Sequence, residues 1–264
     1  MDSQTQHPIQ FDEVADIYDY YVLTDMDIPF WLEECRSVRG KVLELMSGTG
    51  RVSIPLLKAG VNLTCVDYAS KMLAQLSKKL MENRLSCSVE CQDISSLRLK
   101  DRFELVIIPF QSFSEILDRT KRKLALERIR NHMLEGGAFI CTLHNPSARQ
   151  LTMDGTNRLI GEFACPNGDR LVVSSRISYD PTSQMATGVQ IYHRRTSDGE
   201  VTDHRELAVA FYLFQKGEFE ALAEEAGFDV DSVYGYYDRE PYEAVSSPYM
   251  IWRLLRSATG TNSI

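Results

Sequence analysis

The chain has 264 residues, 44% apolar and 25% charged, which provides for a sizeable core and speaks against a disordered protein. A formal net charge of −8 argues against a nucleic-acid binder, because such proteins use a basic face to neutralise phosphates. No stretch approaches the ~18 apolar residues of a membrane span, and the polar start from Met1 to Gln10 lacks an apolar signal region, so a cytoplasmic protein with no membrane partner is expected.

Residues 11–36, including FDEVADIYDYY and IPFWLEEC, read as helical and aromatic. KVLEL at 41–45 reads as a short buried strand. It runs into the turn MSGTG and then a helix from Arg51 to Ala59, stopped by Gly60. Pro55 is tolerated there near the first turn, where backbone N–H groups lack intrahelical partners. NLTCV at 62–66 is a second strand ending at Asp67, and Ser70 is placed to cap the helix that carries Leu73, Leu76 and Leu80 on one face. A third strand is expected over 86–91, followed by Asp93. FELVII at 103–108 is an apolar run of the kind covered on both faces in a parallel sheet. A helix from Thr120 to Leu134 is expected to stop at Gly136-Gly137, and AFICTLH at 138–144 forms a fifth strand. This alternation predicts a doubly wound α/β domain.

The rhythm then breaks. Segments 158–165, 169–179, 185–196 and 200–213 are β-rich and separated by Asn167-Gly168, Asp180-Pro181 and Asp198-Gly199, which predicts an inserted antiparallel lid of three or four strands. A helix over 216–226 closes at Gly227. Strands near 228–237 and 249–255 follow, and the last eight residues are expected to fray. Six cysteines form no C-x-x-C pair. Cys65 and Cys141 sit in strand-like runs, so reduced, structural thiols and no metal site are expected.

The chemistry concentrates at the carboxyl ends of successive strands. In VLELMSGTGR (42–51), Gly48 and Gly50 let the backbone approach a ligand, and the following helix offers free N–H groups to an anion. Asp67 is placed to accept from ribose hydroxyls, or else to cap a helix. Met72 reads as an adenine contact or as core. Asp93 reads as an acceptor for an adenine amine or as an Asx turn, and Pro109-Phe110 as a cleft floor or a strand end.

Together these stretches resemble the class I S-adenosylmethionine-dependent methyltransferases. VLELMSGTG is similar to the family's first motif, CVDYASKML to the second and CQDI to the third. FELVIIPFQSF resembles its fourth strand, HMLEGGAFICTLHNP its fifth, and FEALAEEAGF its late helix and turn. VADIYDYY resembles the N-terminal helix of small-molecule N-methyltransferases that also carry a β-rich lid. The resemblance implies a mostly parallel seven-stranded Rossmann-like sheet over 38–150 and 214–256. It also implies a helical N-terminal segment over 1–37 and the lid over 151–213. The implied cofactor is S-adenosylmethionine and the implied partner a small-molecule methyl acceptor. By the same resemblance Glu44 orients the turn and touches the methionine ammonium, Gly48 and Gly50 make room beside Arg51, and Asp67 binds the ribose. Tyr68 and Met72 pack on adenine, Asp93 and Ile94 read its edge, Pro109 lies below, and Tyr18 closes over the methionine end. Met46 stands where the family usually has glycine, so its side chain has to point away or the cofactor has to shift.

For the acceptor, His144 at the end of the fifth strand is the first candidate base or hydrogen-bond partner, with a structural histidine as the alternative. Gln111 and Ser112 are placed to position the acceptor, Tyr21 joins an aromatic wall with Tyr18, and Tyr192 and His193 on the lid are weaker candidates. For most of Tyr18, Tyr20, Tyr21, Phe30 and Trp31, packing is the simpler reading. Nitrogen and oxygen acceptors both stay open, as does a homodimer paired through the lid. Two rivals remain. Gly48-Thr49-Gly50-Arg51-Val52-Ser53 nearly matches the nicotinamide-binding G-x-G-x-x-G. A non-catalytic cofactor-binding protein of this fold would also suit Met46.

Overall fold

The computed structural model describes residues 8–257. The polar segment before Pro8 and the tail expected to fray from residue 258 onward lie outside the described residues. Helix α1 (Tyr18–Tyr21) and helix α2 (Ile28–Arg36) precede the alternating part. That part runs β1 (Val42–Leu45), α3 (Ser53–Lys58), β2 (Leu63–Asp67), α4 (Ser70–Asn83), β3 (Ser88–Cys91), β4 (Phe103–Ile108), α5 (Arg119–Asn131) and β5 (Met133–His144). After α6 (Pro146–Arg149) come β6 (Asp154–Ala164), β7 (Arg170–Asp180), β8 (Met185–Arg195) and β9 (Val201–Tyr212). Helix α7 (Lys216–Glu225), β10 (Phe228–Tyr234) and β11 (Tyr249–Arg256) complete the chain.

The main sheet has seven strands in the order β10-β11-β5-β4-β1-β2-β3. Strands β1 to β5 are parallel, and β11 enters antiparallel between β5 and β10. The period of two in strand side chains sorts the core into two layers. Phe139, Cys141 and Leu143 of β5 join Leu126, Ile129, Phe219 and Trp252 on one face. Ala138 and Ile140 join Phe30, Trp31, Leu56 and Leu76 on the other. Cys65 and Cys141 are fully buried in these layers as free thiols. The second sheet is an antiparallel meander, β6-β7-β8-β9. Among the described residues no helix is long and apolar enough to cross a membrane.

Three local expectations change. The segment 11–36 is not one helical run: a 3-10 turn at Phe11–Glu13, α1 and α2 are separated by irregular chain. Tertiary bonds decide this, since Arg51 binds the Thr24 carbonyl and the Asp27 carboxylate and so fixes the non-helical link. The cap of α4 comes from afar. Ala69 occupies the cap position, and Asp12 accepts from the Lys71 N–H at 2.8 Å and from Ser70 Oγ at 3.3 Å. Helix α5 ends at Asn131, before the Gly-Gly pair. Met133 already pairs with Phe103, and Gly137 lies within β5, where a Cβ would come within 3.0 Å of two backbone oxygens.

Candidate active site

The turn after β1 is built from left-handed backbone. Met46, Gly48 and Gly50 have φ of 57°, 54° and 83°. Asp67, at the end of β2, closes this turn. Its two carboxylate oxygens accept from the Gly48 and Ala69 N–H groups, each at 2.8 Å. Thr49 donates to Asp19 of α1 at 2.6 Å, which draws the N-terminal segment over the turn. Phe110 and Gln111, just past β4, are also left-handed, at 60° and 62°. Met46, Phe110 and Gln111 all line the main cavity, so three of the six left-handed non-glycine residues among the described residues lie there.

Two cavities open at the carboxyl edge of the main sheet, where open α/β sheets bind ligands. The larger, about 390 Å³, is walled by Tyr18, Tyr21, Met46, Gly48, Asp67, Tyr68, Met72, Gln111 and His144, and roofed by Ser175, Gln190 and Phe211 of the second sheet. The smaller, about 320 Å³, is lined by Met46, Asp67, Tyr68, Asp93 and Ile94, with Leu117 and Lys121 opposite. Four of the residues expected to hold the cofactor do not line either cavity. Glu44 is buried behind the turn and accepts from Ser53 Oγ at 2.6 Å. Gly50 serves packing, because a Cβ there would collide with Leu76 Cδ1. Arg51 turns to Asp27, at 2.5 and 2.7 Å, with its guanidinium 4.6 Å from the Phe110 ring centre. Pro109 is buried beneath the strained turn.

The Met46 backbone takes the conformation that glycine would supply, and the residue lines both cavities while packing against the core. Asp93 makes the Asx-type bonds, accepting from Ser95 N at 2.8 Å, while still lining the smaller cavity. Phe30 and Trp31 are core, as the packing reading had it. Tyr21 binds the buried Tyr192 hydroxyl at 2.9 Å, and Tyr192 donates to Gln190 at 2.6 Å, so the lid is keyed to α1. His193 faces the other way and stacks on His204.

Burial sets the protonation states. His144 lies against Phe211, and desolvation, helped by Arg149, pushes its pKa down to about 3. It is therefore a neutral imidazole near pH 7, suited to accepting a hydrogen bond and poorly suited to holding a proton. Burial raises the Asp67 carboxyl, and the N–H groups of Ala69 and Gly48 oppose that rise. Desolvation pushes Glu44 up to about 8, with the Ser53 hydroxyl opposing it. The folded state thus keeps the Glu44 proton between about 4.5 and 8, where the unfolded chain has lost it, so stability falls as pH rises through that window. Glu44→Gln is expected to remove this loss. In urea unfolding from pH 5.5 to 7.5, the wild type should weaken more steeply than the variant by up to about 1.4 kcal/mol per pH unit. Parallel slopes would mean that Glu44 is ionised in the fold.

Several cavity residues escaped sequence reading. Glu115 lines both cavities, and Arg149, Gln190 and Phe211 line the larger. The acid of FSEIL was visible, but only a 3-10 turn at Ser112–Glu115 aims it inward. The lid residues depend on a register, Ser175 opposite Gln190, that periodicity does not specify.

The family model for the methyltransferase domain matches residues 42–137, the span from β1 through the start of β5. That span matches a methyltransferase domain, and the fold of the chain is one shared with methyltransferases of known structure. A methyltransferase rather than a nicotinamide-dependent oxidoreductase accounts for the Gly-rich turn. The cypemycin N-terminal methyltransferase of a Streptomyces species is 28% identical over 253 residues, covering 92% of this chain and 97% of that protein. An S-adenosylmethionine-dependent methyltransferase from Clostridium acetobutylicum superposes with a TM-score of 0.77 at 20% identity, over 94% of this chain and 99% of that one. The CcbJ methyltransferase of Streptomyces caelestis gives 0.77 at 21% identity, over 94% and 97%. The seven-stranded sheet and the second antiparallel sheet of this chain are thus parts of one shared fold.

Proposed function

We propose that this methyltransferase uses S-adenosylmethionine to methylate an amine of a small molecule. The observation that carries the reading is a pair of cavities that meet at Asp67, at the carboxyl edge of the sheet. The donor set suits the cofactor. Each Asp67 oxygen has one backbone N–H and keeps lone-pair capacity for a ribose hydroxyl. Asp93 and Ile94 in the smaller cavity would hold the adenine, with Tyr68 and Met72 beside it. Gly48 and Tyr18 would hold the methionine end. When bound, the cofactor supplies a methyl group already activated on a sulfonium.

The remaining work falls to the chain. The second sheet and the N-terminal segment, joined by the bond from Tyr192 to Tyr21 of α1 and by Arg205 to Asp16 at 2.6 Å, enclose the larger cavity and limit water. Gln111, Ser112 and neutral His144 orient the acceptor in line with the methyl group. A nitrogen acceptor is favoured by the likeness to an N-terminal methyltransferase and by the acidic side chains around the junction. Titration calorimetry on the full chain tests the cofactor: binding at about micromolar Kd is expected for S-adenosylmethionine and S-adenosylhomocysteine, and none for NAD. A mass-spectrometric screen of primary and secondary amines against phenols then tests the acceptor. Binding of NAD alone, or transfer to phenols only, would overturn the respective half of the reading.

A further inference from the structure

Ile9, Met46, Asp67, Tyr68 and Glu115 line both cavities and so mark where they meet. Four carboxyl groups line the two spaces, and the protein itself satisfies three of them. Asp67 holds two backbone N–H groups, Asp93 holds Ser95 and lies 3.7 Å from Lys121, and Asp118 accepts from Lys121 N at 2.7 Å. Glu115 is different: among the described residues it has no hydrogen-bond or salt-bridge partner. Its backbone is nevertheless held firmly. The same 3-10 turn carries Phe113, fully buried and edge-on to Phe219 with ring centres 5.7 Å apart. Asp67, Tyr18 and Tyr68 neighbour it, and Arg149 and Lys121, which line the larger and the smaller cavity, form no salt bridge with it. Burial and the Asp67 charge push its carboxyl up to about 8.

A half-buried carboxyl with no protein partner on a cavity wall, beside a second carboxylate, is best met by a ligand that brings positive charge. A cation with N–H donors meets both needs, whereas a phenolate or carboxylate would face two like charges. We propose that Glu115 receives the methyl acceptor as an ammonium ion at the junction of the cavities and takes its proton, so that the acceptor is a basic amine. The proton passes from the ammonium nitrogen to the carboxylate oxygen, leaving a neutral amine with a free lone pair and a protonated carboxyl. The carboxyl gives the proton to water as product leaves. This inference rests on the cofactor reading above.

The test uses sinefungin, an adenosyl amino acid that carries a primary amine in place of the methyl-bearing sulfonium. Its amine therefore lies where the acceptor nitrogen approaches. Calorimetric titrations of the full chain and of Glu115→Gln with S-adenosylmethionine, S-adenosylhomocysteine and sinefungin are compared. The variant is expected to bind sinefungin about tenfold or more weakly and the other two within about threefold of wild type. Unchanged sinefungin binding would overturn the inference, and so would equal loss for all three ligands. Equal loss for S-adenosylmethionine and sinefungin would also overturn it, because the carboxyl would then serve the sulfonium. A wild-type chain that binds none of the three would overturn the proposed function itself, and this inference with it.

Discussion

Asp67→Ala is expected to lower affinity for S-adenosylmethionine and S-adenosylhomocysteine by about a hundredfold or more, read by titration calorimetry. The size follows from what the carboxylate does twice over. It is 7% exposed, ends β2 and lines both cavities. It also holds the Gly48 and Ala69 N–H groups that shape the turn. Alanine therefore removes two charge-assisted acceptors from the ligand and frees a left-handed glycine turn at once. Asp67→Asn is expected to do little better, since an amide turns a donor toward one of the two N–H groups. Asp93 offers a contrast. It lies in the smaller cavity but is exposed, and its bonds to Ser95 are local, so Asp93→Ala is expected to cost about tenfold or less. Equal losses at the two positions would place the recognition of the adenosyl group elsewhere.

Asp27→Ala is expected to destabilise the fold by about 3–5 kcal/mol and to lower the melting temperature by roughly 10 °C. Asp27 is 1% exposed and accepts from both terminal nitrogens of Arg51 and from Trp31 Nε1 at 3.1 Å. Its loss strands a largely buried guanidinium and the indole N–H of a fully buried ring. Arg51→Met should be similarly harmful, because it leaves the carboxylate alone. The double variant should recover much of the loss, as expected when the damage comes from an unpaired buried charge. Additive losses in urea unfolding would show instead that each residue acts separately. Because Arg51 also holds the Thr24 carbonyl, and Val22, Leu23 and Thr24 line the larger cavity, this ion pair joins the stability of the core to the shape of the site.

The amino-acid sequence by itself determined the order of the parallel strands and helices, because each buried strand is an apolar run and each helix repeats its apolar residues at helical spacing. It also determined that Gly48, Asp67 and Asp93 stand at successive strand ends, since strand ends are set by local punctuation such as the glycine turns. The lid strands were legible for the same reason, through Asn167-Gly168, Asp180-Pro181 and Asp198-Gly199. The tertiary structure alone decided which side chains face the ligand space. Glu44 and Arg51 looked like ligand contacts but turned to Ser53 and Asp27, because a buried polar group takes a partner that the fold brings within reach, 9 residues away for Glu44 and 24 for Arg51. Met46 looked like an obstruction, yet the closed turn holds it in the glycine-like conformation. Glu115 carried no local signature at all. Its place between the cavities arises from packing of Phe113 against Phe214 and Phe219, contacts across about a hundred residues that no local pattern encodes.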